Sequence, residues 1–233
     1  MLFYVKITSS LMNIDEAKMQ QNTPKTSFSE SGNLTLEPMD TARIEKVVDE
    51  YTQKHIRHHH GAIIFVGSGG GKSTTCRSQI PDNEGKTDLV DADLIYRETG
   101  AHPCQPGVVP LRPLPWWDMG DEVIHEVELR CGEVNTAMVE HGLWTLTTSF
   151  TPDDKYLPAV IVILPWEEHK KRIIEKSGGN LYDGGAQATD TGFSLVLSHR
   201  QWAENVAKEK NIPIVDSIDA AVSLVRSREA NNS

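Results

Sequence analysis

The residues best suited to chemistry lie at Gly67-Ser68-Gly69-Gly70-Gly71-Lys72-Ser73-Thr74. Glycines let successive backbone N–H groups curl round a phosphate, because no Cβ blocks the turn. A helix starting at Lys72 would add the positive end of its dipole. In such a loop Lys72 reaches the β- and γ-phosphates of ATP, and the Ser73 hydroxyl holds Mg²⁺. The usual spacing, G-x-x-x-x-G-K-[ST], has its first glycine where this chain has Val66, with Gly67 one step late. Either the loop is a residue tighter or Val66 substitutes for the glycine. The dinucleotide pattern G-x-G-x-x-G fails, because Lys72 occupies the third glycine position.

The second chemical signal is Asp91-Ala92-Asp93, at the end of the short apolar run Leu89-Val90. A carboxylate at a strand end can orient a hydroxyl nucleophile and accept its proton, and a second can order the water around Mg²⁺. Spaced by two, Asp91 and Asp93 would point to one side of an extended segment.

The rest of the chain supplies elements to position these groups. Ala62 to Val66 is a continuous apolar run, as a buried parallel strand requires. Further strands are expected over 88–90, 143–147, 159–164 and 212–215. Helices are expected from about Thr41 to Ile56, from Lys72, over 121–141, 166–176, 194–210 and 218–226. Asp40 suits an N-cap, and Ile44, Val47, Val48 and Tyr51 share a face at helical spacing. The alternation predicts an α/β protein with a doubly wound parallel sheet and ligands at the carboxyl ends of its strands.

Residues 1–40 read as a flexible, polar N-terminal arm, 41–60 as a helix and connector, and 61–228 as the compact domain. His55, His58, His59 and His60 crowd the connector. His55 and His59 have metal spacing on a helix but lack a matching carboxylate or cysteine, so a solvated, pH-sensitive connector is the expectation. The net charge of −10 argues against extended nucleic-acid binding and against anionic membranes. No apolar run approaches the roughly 20 residues of a membrane span. The three cysteines are far apart, which fits free thiols in a reducing, cytoplasmic setting.

Taken together, the loop and Val90-Asp91-Ala92-Asp93-Leu94-Ile95, followed by Arg97, Thr99 and Gly100, resemble the shikimate kinase and gluconate kinase group of P-loop kinases. Asp93 with Arg97 is also similar to polynucleotide 5′-kinases, and nucleoside monophosphate kinases share the strand–helix order. The resemblance covers about residues 61–226, with specific motifs only at these two places. It implies a P-loop NTPase fold, three-layer α/β/α with a five-stranded parallel sheet. It implies an ATP- and Mg²⁺-dependent phosphotransferase acting on a hydroxyl of a small molecule. The alternatives are a nucleotide or polynucleotide 5′-hydroxyl kinase, and a nucleotide-binding regulatory or assembly module with weak ATPase activity.

On that resemblance Asp93 activates the acceptor and Asp91 helps to hold the Mg²⁺ shell, while Arg97 and Arg112 are candidates for an anionic acceptor group. Trp116 and Trp117, near Arg112, could stack on a base or sugar or cover the core edge. Thr147-Thr148-Ser149 could contact substrate or satisfy its own backbone. Asp216-Ser217-Ile218-Asp219 is similar to the turn that borders adenine. Residues 178–192 stand where those kinases carry a mobile lid, but this stretch has no arginine. Of the nearest two, Arg172 and Arg200, the latter is the candidate for stabilising charge on the transferring phosphoryl group.

Overall fold

The computed structural model describes residues 27–28, 34–35, 39–101, 121–177 and 190–232. Arg112, Trp116, Trp117 and positions 178–189 of the expected lid lie outside them, and Asp190 to Gly192 begin a helix. Within the polar stretch read as an arm, β1 (Ser27–Phe28) and β2 (Leu34–Thr35) pair antiparallel.

The main body runs α1 (Thr41–Lys54), β3 (Ala62–Val66), α2 (Lys72–Ser78), β4 (Leu89–Asp91), α3 (Ala92–Thr99) and α4 (Asp121–Glu140). It continues through β5 (Trp144–Thr147), β6 (Val160–Val162), α5 (Trp166–Ser177), α6 (Asp190–Lys210), β7 (Ile214–Val215) and α7 (Ile218–Asn232). The five strands β4-β5-β3-β6-β7 form one sheet in that order, and every pairing is parallel. Parallel neighbours need crossovers, so helices cover both faces. The strand carrying the Gly-rich loop is the central one, and all five of its residues are buried.

Alternation along β3 sorts its side chains. Ala62, Ile64 and Val66 pack with Ile218, Ala221 and Val225 of α7. Phe65 faces the other way, joining Ile161, Phe150 and the α6 residues Ala203, Val206 and Ala207. Burying each large aliphatic chain contributes roughly 1.5–3 kcal/mol, so the loop hangs from the best-anchored strand.

A third cluster unites α1, α3 and α4 around Val48, Ile95, Tyr96, Val134 and Met138. Helix α1, ahead of the first sheet strand in sequence, is thus part of this core. Asp40 caps it, accepting from Ala42 N. Its Tyr51 hydroxyl donates to Glu98 Oε1 at 2.9 Å. Among the described residues no helix is long and apolar enough to cross a membrane.

The histidine connector meets the expectation only in part, with His59 and His60 exposed. Helix α1 ends at Lys54, so His55 and His59 share no helix face. His55 instead meets the Thr87 hydroxyl at 2.8 Å. His58 is not solvated: its side chain is 9% exposed and its ring stacks on Trp144.

Candidate functional site

Five residues, Gly67 to Gly71, join the end of β3 to the start of α2. Val66 stands in the glycine's usual place as the last, fully buried residue of the strand. Its Cγ1 lies 2.5 Å from where a Cβ on Gly70 would sit, so position 70 has no room for a side chain. The turn closes as Gly70 N donates to the Gly67 carbonyl at 2.9 Å. Gly69 and Gly71 have φ of 77° and 99°, a region costly for any residue with a Cβ.

At the mouth of the loop, Lys72 and Ser73 each meet a carboxylate from the junction of β4 and α3. Ser73 Oγ donates to Asp91 Oδ2 at 2.5 Å. Lys72 Nζ lies 3.4 Å from Asp93 Oδ2, with the lysine side chain only 7% exposed. The two aspartates do not sit on one extended segment. Asp91 ends β4 and caps α3, its Oδ1 accepting from Asp93 N at 3.2 Å, so Asp93 reaches the loop from the helix's first turn. An Asp at an N-cap is a strong helix start, which is why the strand stops there. Burial, and then the charge of Asp93, push the Asp91 carboxyl above its ordinary range, while Lys72 and the Ser73 hydroxyl pull it back. A buried carboxylate so placed gains from a nearby cation.

A turn after β5 completes this side. The Thr148 hydroxyl donates to Asp93 Oδ1 at 3.3 Å. Thr147 serves the backbone, its Oγ1 accepting from Ser149 N, and also meets the buried Tyr96 hydroxyl at 2.6 Å. Asn135 braces the same turn, accepting from Tyr96 and donating to the Ser149 carbonyl. Arg97 lies half-buried in the last turn of α3, four residues beyond Asp93 and on the same helix side. Thr74 is exposed on α2, and Ser217 supports the start of α7 by accepting from Ala220 N.

On the other side the loop rests on α5. His169 Nε2 meets the Ser68 carbonyl at 2.7 Å, and Arg172 donates to the Gly70 carbonyl at 2.8 Å. Arg172 is also paired with Glu168. Arg200 does not reach the loop directly. It donates to the Leu164 carbonyl at 2.6 Å, meets His169 Nδ1 at 3.5 Å and lies over the Trp166 ring. Among the described arginines, Arg172 is therefore the one hydrogen-bonded to the loop. His169 is the group that motif spacing missed, although His169 and Ile173 are one helical turn apart on the face that meets the loop.

Ser73 and Asp91 supply a hydroxyl and a carboxylate, the hard oxygen donors that Mg²⁺ prefers alongside phosphate oxygens and water. Among the described residues no group of three or more His, Cys, Asp or Glu is arranged to hold a metal ion. Two protein oxygens suit a cation carried in with phosphates rather than one caged by protein alone. Comparison with protein-family models, with curated proteins and with solved structures finds no match.

Proposed function

We propose that this chain is an ATP- and Mg²⁺-dependent kinase that transfers the γ-phosphate to a hydroxyl of a small molecule. The observation that most supports this is the double pairing of Ser73 with Asp91 and Lys72 with Asp93 at the carboxyl edge of the sheet. It gathers a phosphate-binding lysine, two hard oxygen donors and a carboxylate base at the edge where parallel sheets take ligands. Bound Mg²⁺ would offset negative charge on the phosphate oxygens, with Ser73 and Asp91 as its protein ligands. Lys72 turns from Asp93 to the entering phosphates. That withdraws Lys72 from Asp93 Oδ2, while Oδ1 stays oriented by Thr148. Oδ2 then accepts the acceptor's hydroxyl proton as its oxygen attacks the γ-phosphorus and ADP leaves. Arg172 lies nearest for charge on the transferring group, and Arg97 for an anionic acceptor such as a sugar acid or nucleotide.

A second reading, an ATP-binding module with weak hydrolysis, is favoured by one observation. Both arginines near the loop are held by main-chain carbonyls, at Gly70 and Leu164. Labelled ATP offered with sugars, sugar acids, nucleosides, nucleotides and 5′-hydroxyl oligonucleotides separates the two. A kinase releases ADP in step with one acceptor class, and Asp93→Asn abolishes that transfer while retaining ATP binding. ADP release indifferent to every acceptor leaves the module reading.

A further inference from the structure

We propose that His169 is a positioning residue for the Gly-rich loop, holding the Ser68 carbonyl through its Nε2–H while Arg200 keeps the ring in the one neutral tautomer able to do so. The inference rests on the reading of this loop as a phosphate site, and it concerns what shapes the loop.

The proton inventory selects the tautomer. A carbonyl oxygen only accepts, so the 2.7 Å contact with Ser68 requires a proton on Nε2. A guanidinium only donates, so Nδ1, facing Arg200 Nη1 at 3.5 Å, must present its lone pair. Arg200 is itself fixed by the Leu164 carbonyl and the face of Trp166. A second proton on the ring would set Nδ1–H against the guanidinium.

The Ser68 carbonyl favours a protonated ring, but burial and the flanking cations outweigh it. From α6 come Arg200 and His199, from α5 come Arg172 and its partner Glu168, and Lys72 acts on His199 from beyond. Burial first, then Arg200 and Arg172, lower the affinity of His169 for a proton, and burial with Lys72 does the same for His199. Among the described residues the anion in this group is Glu168, and Arg172 already engages it.

The consequence for the loop follows from peptide planarity. Within one trans peptide the C=O and the next N–H point in opposite directions. Pinning the Ser68 carbonyl to His169 turns the Gly69 N–H away from α5, and pinning the Gly70 carbonyl to Arg172 does the same for the Gly71 N–H. Helix α5 thus sets the direction of two backbone donors of the loop. It also leaves no room for a bulkier loop. A Cβ on Gly69 would lie 2.9 Å from Ile173 Cγ1 and 3.5 Å from His169 Nε2.

The sign of the pH effect is fixed. The folded protein prefers neutral His169, so the ordered loop is fully present above the ring's ordinary value of 6.5 and is lost as pH falls through the lower folded value. Below that midpoint the competent fraction falls by about tenfold per pH unit, and the apparent Kd for MgATP rises to match.

The test uses the full chain. Nitrogen NMR of the imidazole should show the Nε2–H form, with a titration midpoint below 6.5 that Arg200→Gln shifts upward. MgATP binding across pH 5–8 should weaken in step with that midpoint. His169→Gln keeps an N–H donor but cannot titrate. It should weaken binding at pH 8 by about threefold and flatten the acid limb. An Nδ1–H tautomer, a midpoint indifferent to Arg200→Gln, or an unchanged acid limb in His169→Gln would each overturn the proposal. If the wild-type chain fails to bind MgATP at pH 8, the phosphate reading falls. The tautomer and the midpoint still decide the role of His169, because neither needs nucleotide.

Discussion

The two ends of the sheet use the same kinds of side chain to different effect. At the amino end, His58 stacks on Trp144 with ring centres 3.6 Å apart, and its Nδ1 meets Glu229 at 3.3 Å. Glu229 also accepts from His59 N, Arg226 donates to Asp88, and Trp144 Nε1 donates to the His60 carbonyl. Histidine, acid, arginine and tryptophan there engage one another and brace the end of α7 against the sheet. At the carboxyl end, Lys72 and Asp93 form a separable pair, Asp91 is buried beside a hydroxyl, and the connecting loop has three constrained glycines. At the amino end the pairs tie α7 to the sheet, whereas at the carboxyl end, on the proposed function, a ligand would replace the partners of Lys72 and Asp93. Such divisions are common where a stable scaffold carries a site under local strain.

That contrast breaks most visibly at Trp144, which is 1% exposed. Trp144→Ala should cost about 3–5 kcal/mol of folding free energy, read as a lowered urea midpoint. MgATP affinity of the molecules that remain folded should change less than about twofold, since the ring lies at the far end of its strand. A loss of affinity without a loss of stability would erase the distinction between the two ends.

Lys72→Ala should show the reverse. Acceptor-dependent turnover should fall by roughly 100- to 1000-fold, the scale of removing one charge stabiliser from a transition state. The unfolding free energy should move by less than the Trp144→Ala cost, because Asp93, the partner left behind by this buried lysine, is 31% exposed and can rehydrate. Equal damage to both readouts would make Lys72 a structural group.

The smallest effect belongs to Arg226→Ala at the amino end. Its pair with Asp88 is 60% and 31% exposed, so about 0.2–1 kcal/mol is expected, shrinking as salt is added. A larger, salt-resistant loss would show that its cover over Trp144 matters more than its charge.

Much of this architecture is legible in the residues. The apolar runs at 62–66 and 159–164 mark buried parallel strands because helices cover both faces and leave no polar alternation. The glycine run followed by Lys72 and Ser73 marks the loop, and Asp91 and Asp93 mark its partner strand. What escapes is geometry set by capping and by distant contacts. Reading Asp91 and Asp93 with a period of two puts them on one extended face. The N-cap role of Asp91 moves Asp93 into a helix and still brings it to Lys72. Helix α7 runs on to Asn232, past the last apolar periodicity, and only that extension brings Glu229 to His58. His169 is hidden among Glu167, Glu168, Lys170 and Lys171, where its neighbours advertise a solvated helix.

The two contacts that hold the loop from α5 span 101 and 102 residues of chain. Joining points so far apart costs closure entropy that local structure cannot repay. During synthesis, a ribosome-bound chain that has emerged only as far as β5 carries every glycine of the loop, together with Lys72, Asp91 and Asp93, but not the helix that pins the loop's carbonyls. The shape of the site is therefore a late product of translation, although its most recognisable residues are made early.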